Sequence, residues 1–210
     1  MENKDIKKIN FFENYSYLDH NSVVIDLGAN IGDVTNFIYN KYKCYIYAYE
    51  PNRACFNFMK ERFLGNDKIF LYNNAVSNFT GDSFLYFHYD AKGNNDTRYI
   101  SGATMLKEKD NIDINKKVKI NVINIKEIIS LFDKIDLIKI DVEGSEYNIL
   151  PELMQNKDKI NTVLCEMHGN PDGKKIGGHH KNRNFTKKYN EAVSELKKKR
   201  LYNSWFYEWH

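Results

Sequence analysis

The run Val23-Val24-Ile25-Asp26-Leu27-Gly28-Ala29-Asn30-Ile31-Gly32-Asp33-Val34 constrains this chain more than any other stretch. Val23 to Leu27 reads as a short strand, almost wholly apolar, of the kind covered on both faces. Gly28 and Gly32 then turn the chain into a helix that starts near Asp33. A strand, a turn that permits close backbone approach and a fresh helix N-terminus make a place where a small anionic or ribose-bearing molecule can lie. Asp26 stands two residues before the first glycine.

The same rhythm repeats downstream. The spacing predicts helices over Ile6–Tyr17 and Asp33–Tyr42, a strand over Cys44–Tyr49 that ends at Glu50, and a helix from Pro51 through Phe63. Lys68 to Ala75 reads as a third strand. The alternation then breaks: Phe84 to Tyr89 looks like an inserted antiparallel strand, Asp90 to Ala103 a surface loop, and Lys117 to Val122 an edge strand. Helical spacing returns over Ile125–Phe132. Ile135–Ile140 and Thr162–Cys165 read as the fourth and fifth strands of the main series. A charged helix over Thr186–Arg200 and an aromatic terminal strand over Leu201–His210 close the chain. Strands alternating with helices predict an α/β fold with an open, mostly parallel, twisted sheet and helices on both faces. Ligands of such sheets lie beyond the carboxyl ends of the strands, where strand order reverses. Asp26, Glu50, Asn74, Asp141, Glu143, Glu166 and His168 all fall at those ends.

At 210 residues one domain is expected, with a cap at 1–21, an insertion at 80–123 and a closing helix and edge strand at 170–210. The net charge of +3 is too small to imply nucleic-acid binding. Cys44, Cys55 and Cys165 show no disulfide spacing and suit buried thiols in a reducing cytoplasm. Met1 to Asn10 holds no apolar core of signal-peptide length, and no apolar run approaches a membrane span. A cytoplasmic protein without membrane association is the expectation.

A dinucleotide site needs G-x-G-x-x-G and room for a pyrophosphate. Here the second conserved-type small position is Asn30, the next glycine arrives one residue early, and Asp26 would repel a pyrophosphate. S-adenosylmethionine instead offers an ammonium, a sulfonium and two ribose hydroxyls, all suited to carboxylates. Gly28, Asn30 and Gly32 would form the turn, with Asn30 tolerating the left-handed region. Asp26 would accept from the ammonium, Glu50 from the ribose hydroxyls, and Asn74, beside Ala75, would meet the adenine edge.

Asp26-Leu-Gly-Ala-Asn-Ile-Gly32, Glu50-Pro51, Asn74-Ala-Val-Ser77, Lys139-Ile-Asp-Val-Glu-Gly-Ser-Glu146 and Glu166-Met-His168 together resemble the FkbM family of class I methyltransferases. The resemblance spans roughly residues 20 to 170. It implies a Rossmann-like, seven-stranded methyltransferase sheet, adenosylmethionine as donor, and a hydroxyl of a sugar or natural product as acceptor.

Methyl transfer needs the acceptor oxygen held in line and a group to take its proton. Strand periodicity sets Asp141 with Glu143, and Glu166 with His168, and the family's strand order makes the two strands neighbours. His168 is the candidate base, because its unperturbed pKa is near neutral. Asp141 is expected nearer the donor and Glu143 nearer the acceptor. Two other readings stay open: structural hydrogen bonds among Glu166, His168 and Lys139, and a divalent-ion site built from Asp141, Glu143, Glu166 and His168. Ser145 is the expected N-cap of the next helix, and Glu146 a first-turn acid favoured by the helix dipole with no catalytic part. His179-His180 reads as a solvated pair. Lys174 to Arg200 carries ten Lys/Arg and two acids, which reads as a solvated face and otherwise as an attraction for an anionic acceptor. The alternatives to a small-molecule or glycan O-methyltransferase are a nucleic-acid methyltransferase and a non-catalytic module that binds adenosylmethionine.

Overall fold

The computed structural model describes residues 15–91, 102–169 and 183–208. The leading helix expected over Ile6–Tyr17 falls outside these except for residues 15–17, which form a turn rather than helix. Most of the loop from Asp90 to Ala103, the pair His179-His180 and Trp209 also lie outside the described residues.

Strand β1 (Val23–Leu27) leads into α1 (Asp33–Tyr42), then β2 (Tyr45–Tyr49), α2 (Arg53–Arg62) and β3 (Ile69–Tyr72). After the insertion come β7 (Ile135–Ile140), α4 (Glu146–Gln155), β8 (Ile160–Cys165), α5 (Arg183–Lys198) and β9 (Phe206–Glu208). These strands pair in the order β3-β2-β1-β7-β8-β9. Every pairing in that sheet is parallel. The order reverses between β1 and β7, so the carboxyl ends of those two strands flank the crevice where such sheets bind ligands. The family resemblance implied seven strands; the described residues contribute six to this sheet.

Helices cover both faces. Val24, Ile46, Ala48, Leu137 and Leu164 point to one side, with Ile38 of α1 and Met59 of α2. Ile25, Leu27, Ile138, Ile140 and Val163 point to the other, with Ile149 and Leu153 of α4 and Leu196 of α5. This double coverage is why β7 is buried at every position, Asp136 and Lys139 included.

Two boundaries differ from the sequence reading. The expected strand Lys68–Ala75 is two strands: β3 ends at Tyr72, and Ala75 opens β4 (Ala75–Ser77) in a separate sheet. The chain leaves the main sheet at Asn73, whose side-chain amide donates to the Glu50 and Pro51 carbonyls. The second sheet has the order β4-β6-β5, with β5 (Gly81–His88) and β6 (Ile112–Asn124). Lys117–Val122 therefore lies in a central strand, antiparallel to β5 on one side and parallel to β4 on the other, not at an edge. Its alternation arises because one face packs on Leu85, Phe87 and Ala75 while the other meets solvent. The short helix α3 (Ile125–Ser130) follows, capped by the Asn124 side chain, and buries Ile125, Ile128 and Ile129 against the main sheet.

Candidate active site

The glycine turn is built by packing against its neighbours. Gly28 has φ +76, and a Cβ there would lie 1.8 Å from the Asp141 carbonyl oxygen. Its N–H bonds the Tyr49 carbonyl, while the Asp141 N–H bonds Leu27. Only glycine lets the ends of β1, β2 and β7 meet this closely. Gly32 (φ +82) packs on the Phe63 ring, where a Cβ would come within 2.6 Å. Asn30 takes φ 54, the left-handed conformation expected of it.

Glu50 closes the turn from the end of β2. Its carboxylate accepts the Asn30 N–H at 2.8 Å and the Asn52 N–H at 2.7 Å. Burial pushes its pKa up to about 7, against the pull of those two N–H groups and of Lys139. The Asn52 side chain beside it accepts the Ala54 N–H through Oδ1, while its buried Nδ2 has no hydrogen-bond partner. Asn74 and Ala75 follow β3 directly; Ala75 is buried at the start of β4. Asn73, which sequence reasoning passed over, is the residue that ties this segment to the end of β2.

Asp26 occupies a different place from the one expected. It is fully buried, with Lys139 Nζ 3.0 Å from Oδ1 and the Thr35 hydroxyl donating to Oδ2 at 2.7 Å. Lys139 also donates to the Gly28 carbonyl at 2.7 Å. Asp26 thus lies beneath the turn, where a carboxylate on a strand covered on both sides meets its cross-strand neighbour.

At the other lip of the crevice, β7 and β8 are adjacent, as the resemblance implied, and bring Asp141, Glu143 and His168 together: one donor atom from each lies within 4.8 Å of the others. Strand periodicity is not the reason, because β7 ends at Ile140 and a turn with Glu143 (φ 53) and Gly144 (φ 104) redirects the chain. Glu166 is buried after β8 and is not a member of that group. His168 Nε2 is 3.2 Å from Glu143 Oε2, and Nδ1 is 3.3 Å from Glu146 Oε1. Burial works against charge on the ring, but the carboxylates of Glu143 and Glu146 outweigh it and hold its pKa well above the usual histidine range. A carboxylate at each ring nitrogen favours the charged, donating form of the imidazole.

Sequence reasoning missed two members of this cluster. Glu146 was expected to be a first-turn acid set by the helix dipole alone; it is fully buried and accepts the backbone N–H of His168 at 2.8 Å and of Gly144 at 2.9 Å. Ser145 stands at the N-cap as expected, but its buried hydroxyl makes no capping hydrogen bond. Lys109, from the insertion, has a fully buried side chain and pairs with Glu143 Oε2 at 2.7 Å. The E-x-x-E spacing of Glu143 and Glu146 was a local signal; nothing near Lys109 in sequence marked it. A divalent ion could bridge Asp141, Glu143 and His168, but the Lys109 ammonium already supplies the positive partner of Glu143, and no metal is assigned here.

A parallel sheet that reverses beside a glycine turn, with a buried carboxylate closing the turn from the next strand, defines the Rossmann-like class I methyltransferase fold. Within that class the chain belongs to the FkbM methyltransferase family: the methyltransferase FkbM domain matches residues 26–199. No curated protein matches the chain. Among solved structures it is similar to the human methyltransferase 10 domain containing protein (13% identity, 95% of this chain, 74% of that one, TM-score 0.46). It is similar also to the plantazolicin methyltransferase BpumL in complex with SAH (10% identity, 95% of this chain, 72% of that one, TM-score 0.36). P. horikoshii TYW2 in complex with MeSAdo matches at 21% identity over 36% of this chain and 29% of that one, with a TM-score of 0.31. The chain spans 29% to 41% of the lengths of four similar solved structures, TYW2 among them. At such TM-scores the likenesses carry no argument, and the fold rests on the strand order and the family match. No helix among the described residues is long and apolar enough to cross a membrane.

Proposed function

We propose that the protein transfers a methyl group from S-adenosylmethionine to a hydroxyl of a sugar, glycan or small natural product. The observation that carries the donor half is Glu50: its buried carboxylate is tied to the glycine turn through Asn30 and stands beside the unpaired Nδ2 of Asn52. A ribose diol both donates and accepts, so it suits a carboxylate next to an amide nitrogen that lacks a partner. Gly28, Asn30, Gly32, Glu50, Asn74, Ala75 and Asp141 are the residues we assign to the donor. Asp26 supports them from below, through Lys139 and the Gly28 carbonyl.

When bound, adenosylmethionine supplies a methyl carbon already activated by its sulfonium. The chain's own task is to hold the acceptor oxygen and accept its proton. Asp141 and Glu143 are the proton acceptors in this reading, and His168 donates to Glu143 and holds it in place. A lip rich in carboxylates favours acceptors that present hydroxyl donors, which supports the sugar or natural-product class over a polyanionic nucleic acid.

Calorimetry with S-adenosylhomocysteine and S-adenosylmethionine tests the donor half: micromolar binding is expected, weakened at least tenfold by Glu50→Ala. A folded protein that binds neither overturns the reading. Radiolabelled methyl transfer to a panel of sugars and glycans, with RNA as the comparison, tests the acceptor half.

A further inference from the structure

The insertion reaches into the candidate active site. Thr104, bonded to the Tyr86 backbone of β5 through both its N–H and its carbonyl, donates its hydroxyl to the Glu143 carbonyl at 2.7 Å. Leu106 packs over Gly144, where a Cβ would come within 2.9 Å of its Cδ1, and Phe185 of α5 packs on the same glycine. Lys109 donates to the Gly102 carbonyl at 2.6 Å, and its ammonium meets Glu143 at 2.7 Å. The turn that carries Glu143 is thus held by its own helix, by the insertion and by α5.

We propose that Lys109 and Glu146 are positioning residues of the methyl-transfer site: Lys109–Glu143–His168–Glu146 is one chain of alternating charge, buried except at Glu143, that fixes the Glu143 carboxylate facing the acceptor. This rests on the methyltransferase reading above. The chain is continuous in distance, at 2.7 Å from Lys109 to Glu143, 3.2 Å from Glu143 to His168 and 3.3 Å from His168 to Glu146. Both contacts at Glu143 fall on one oxygen, Oε2, so the carboxylate cannot rotate without breaking two charge-assisted interactions. Glu146 anchors the other end on backbone N–H groups of Gly144, in the turn after β7, and His168, after β8. Alternation of acidic and basic side chains offsets the cost of taking them from water. The charged groups that face the imidazole are Glu143 and Asp141 from the turn after β7 and Glu146 from α4. Lys109 meets the same Glu143 oxygen as the ring.

The test is NMR on protein labelled with 15N-histidine, the His168 signals being assigned by their loss in His168→Gln. In the wild type the ring should remain doubly protonated from pH 6 to pH 8. Glu146→Gln and Glu143→Gln should each bring its titration down by about 1–3 pH units, the size of effect that follows loss of an adjacent opposite charge. Added to Glu146→Gln, Lys109→Met should move the midpoint back up and Lys109→Arg should not. Added to Glu143→Gln, Lys109→Met should also move the midpoint up, because the two cationic groups repel through space across the shared oxygen's position. The two backgrounds are independent, so one variant failing to fold leaves the other decisive. A wild-type His168 that titrates near pH 6.5 overturns the proposal, as does a Lys109→Met substitution without effect on the ring in the Glu146→Gln background. Calorimetry with S-adenosylhomocysteine separates this from the donor reading. Lys109→Met should keep the wild-type dissociation constant, whereas a wild-type protein that binds no S-adenosylhomocysteine overturns the methyltransferase reading and leaves the titration result standing.

Discussion

Lys139 Nζ lies 3.0 Å from Asp26 Oδ1, and the two residues are register partners across the β1–β7 boundary where strand order reverses. Both are buried, and the same ammonium reaches the Gly28 carbonyl. The floor of the glycine turn is therefore an ion pair between two strands, not a carboxylate turned to the crevice.

Removing one member of that pair leaves an uncompensated charge in the interior. Lys139→Met should cost about 3–5 kcal/mol in urea unfolding, and the double variant Asp26→Asn/Lys139→Met should recover most of it. If the single and double variants unfold together, the pair is not what holds the turn.

Glu50 should make donor binding depend on pH. Its pKa is raised by burial to about 7, so the carboxylate is increasingly neutral below that value. A diol donor favours the ionised form, and affinity for S-adenosylhomocysteine should fall toward about tenfold per pH unit below pH 7. The sign for stability is the reverse. A folded pKa above the unfolded one contributes stability that is full below about pH 4.5 and lost as pH rises through about 7. Glu50→Gln should abolish both dependences, measured by calorimetry and by thermal unfolding across pH 5 to 8.

Gly28→Ala should be among the most damaging substitutions in the chain. The added Cβ meets the Asp141 carbonyl at 1.8 Å, and the left-handed φ adds about 1–2 kcal/mol of its own. Circular dichroism should show a lower melting temperature, with loss of S-adenosylhomocysteine binding in whatever folds. Gly65, whose Cβ would meet nothing within 4 Å, is the control: alanine there should carry only the backbone strain.

All three cysteines are free and buried, and burial pushes each thiol pKa up, that of Cys44 to about 11. A thiol reagent at pH 8 should label none of them in the native protein and all three in urea. Rapid labelling of the native protein would contradict the packing of β8 and α2.

The sheet and its ligand end were legible because their signals are local. An apolar run of strand length, a glycine pair and polar residues at strand ends each declare themselves within a few positions, and β1, β2, β7 and β8 lie where those signals put them. Asn30 showed its left-handed backbone in the same way. What failed was any inference that needed a partner from elsewhere. Asp26 looked like a ligand-facing acid because Lys139 is far off in the chain. Glu146 looked like a residue with no part in the site because a first-turn glutamate needs no other explanation. Lys117–Val122 looked like an edge because alternation reports one exposed face and not the number of neighbours.

Sequence by itself therefore determined the class of fold, the family and the end of the sheet where chemistry belongs, since periodicity and motif spacing are properties of contiguous residues. Only the tertiary structure decided the state of the groups at that end. A carboxylate or an imidazole takes its charge from whatever surrounds it. Lys109 reaches Glu143 from the segment between β5 and β6, Glu146 reaches His168 from a neighbouring helix, and Lys139 reaches Asp26 from the adjoining strand. Those distances exist only after folding, and they set which groups are ionised, which are held in place and which can meet a substrate.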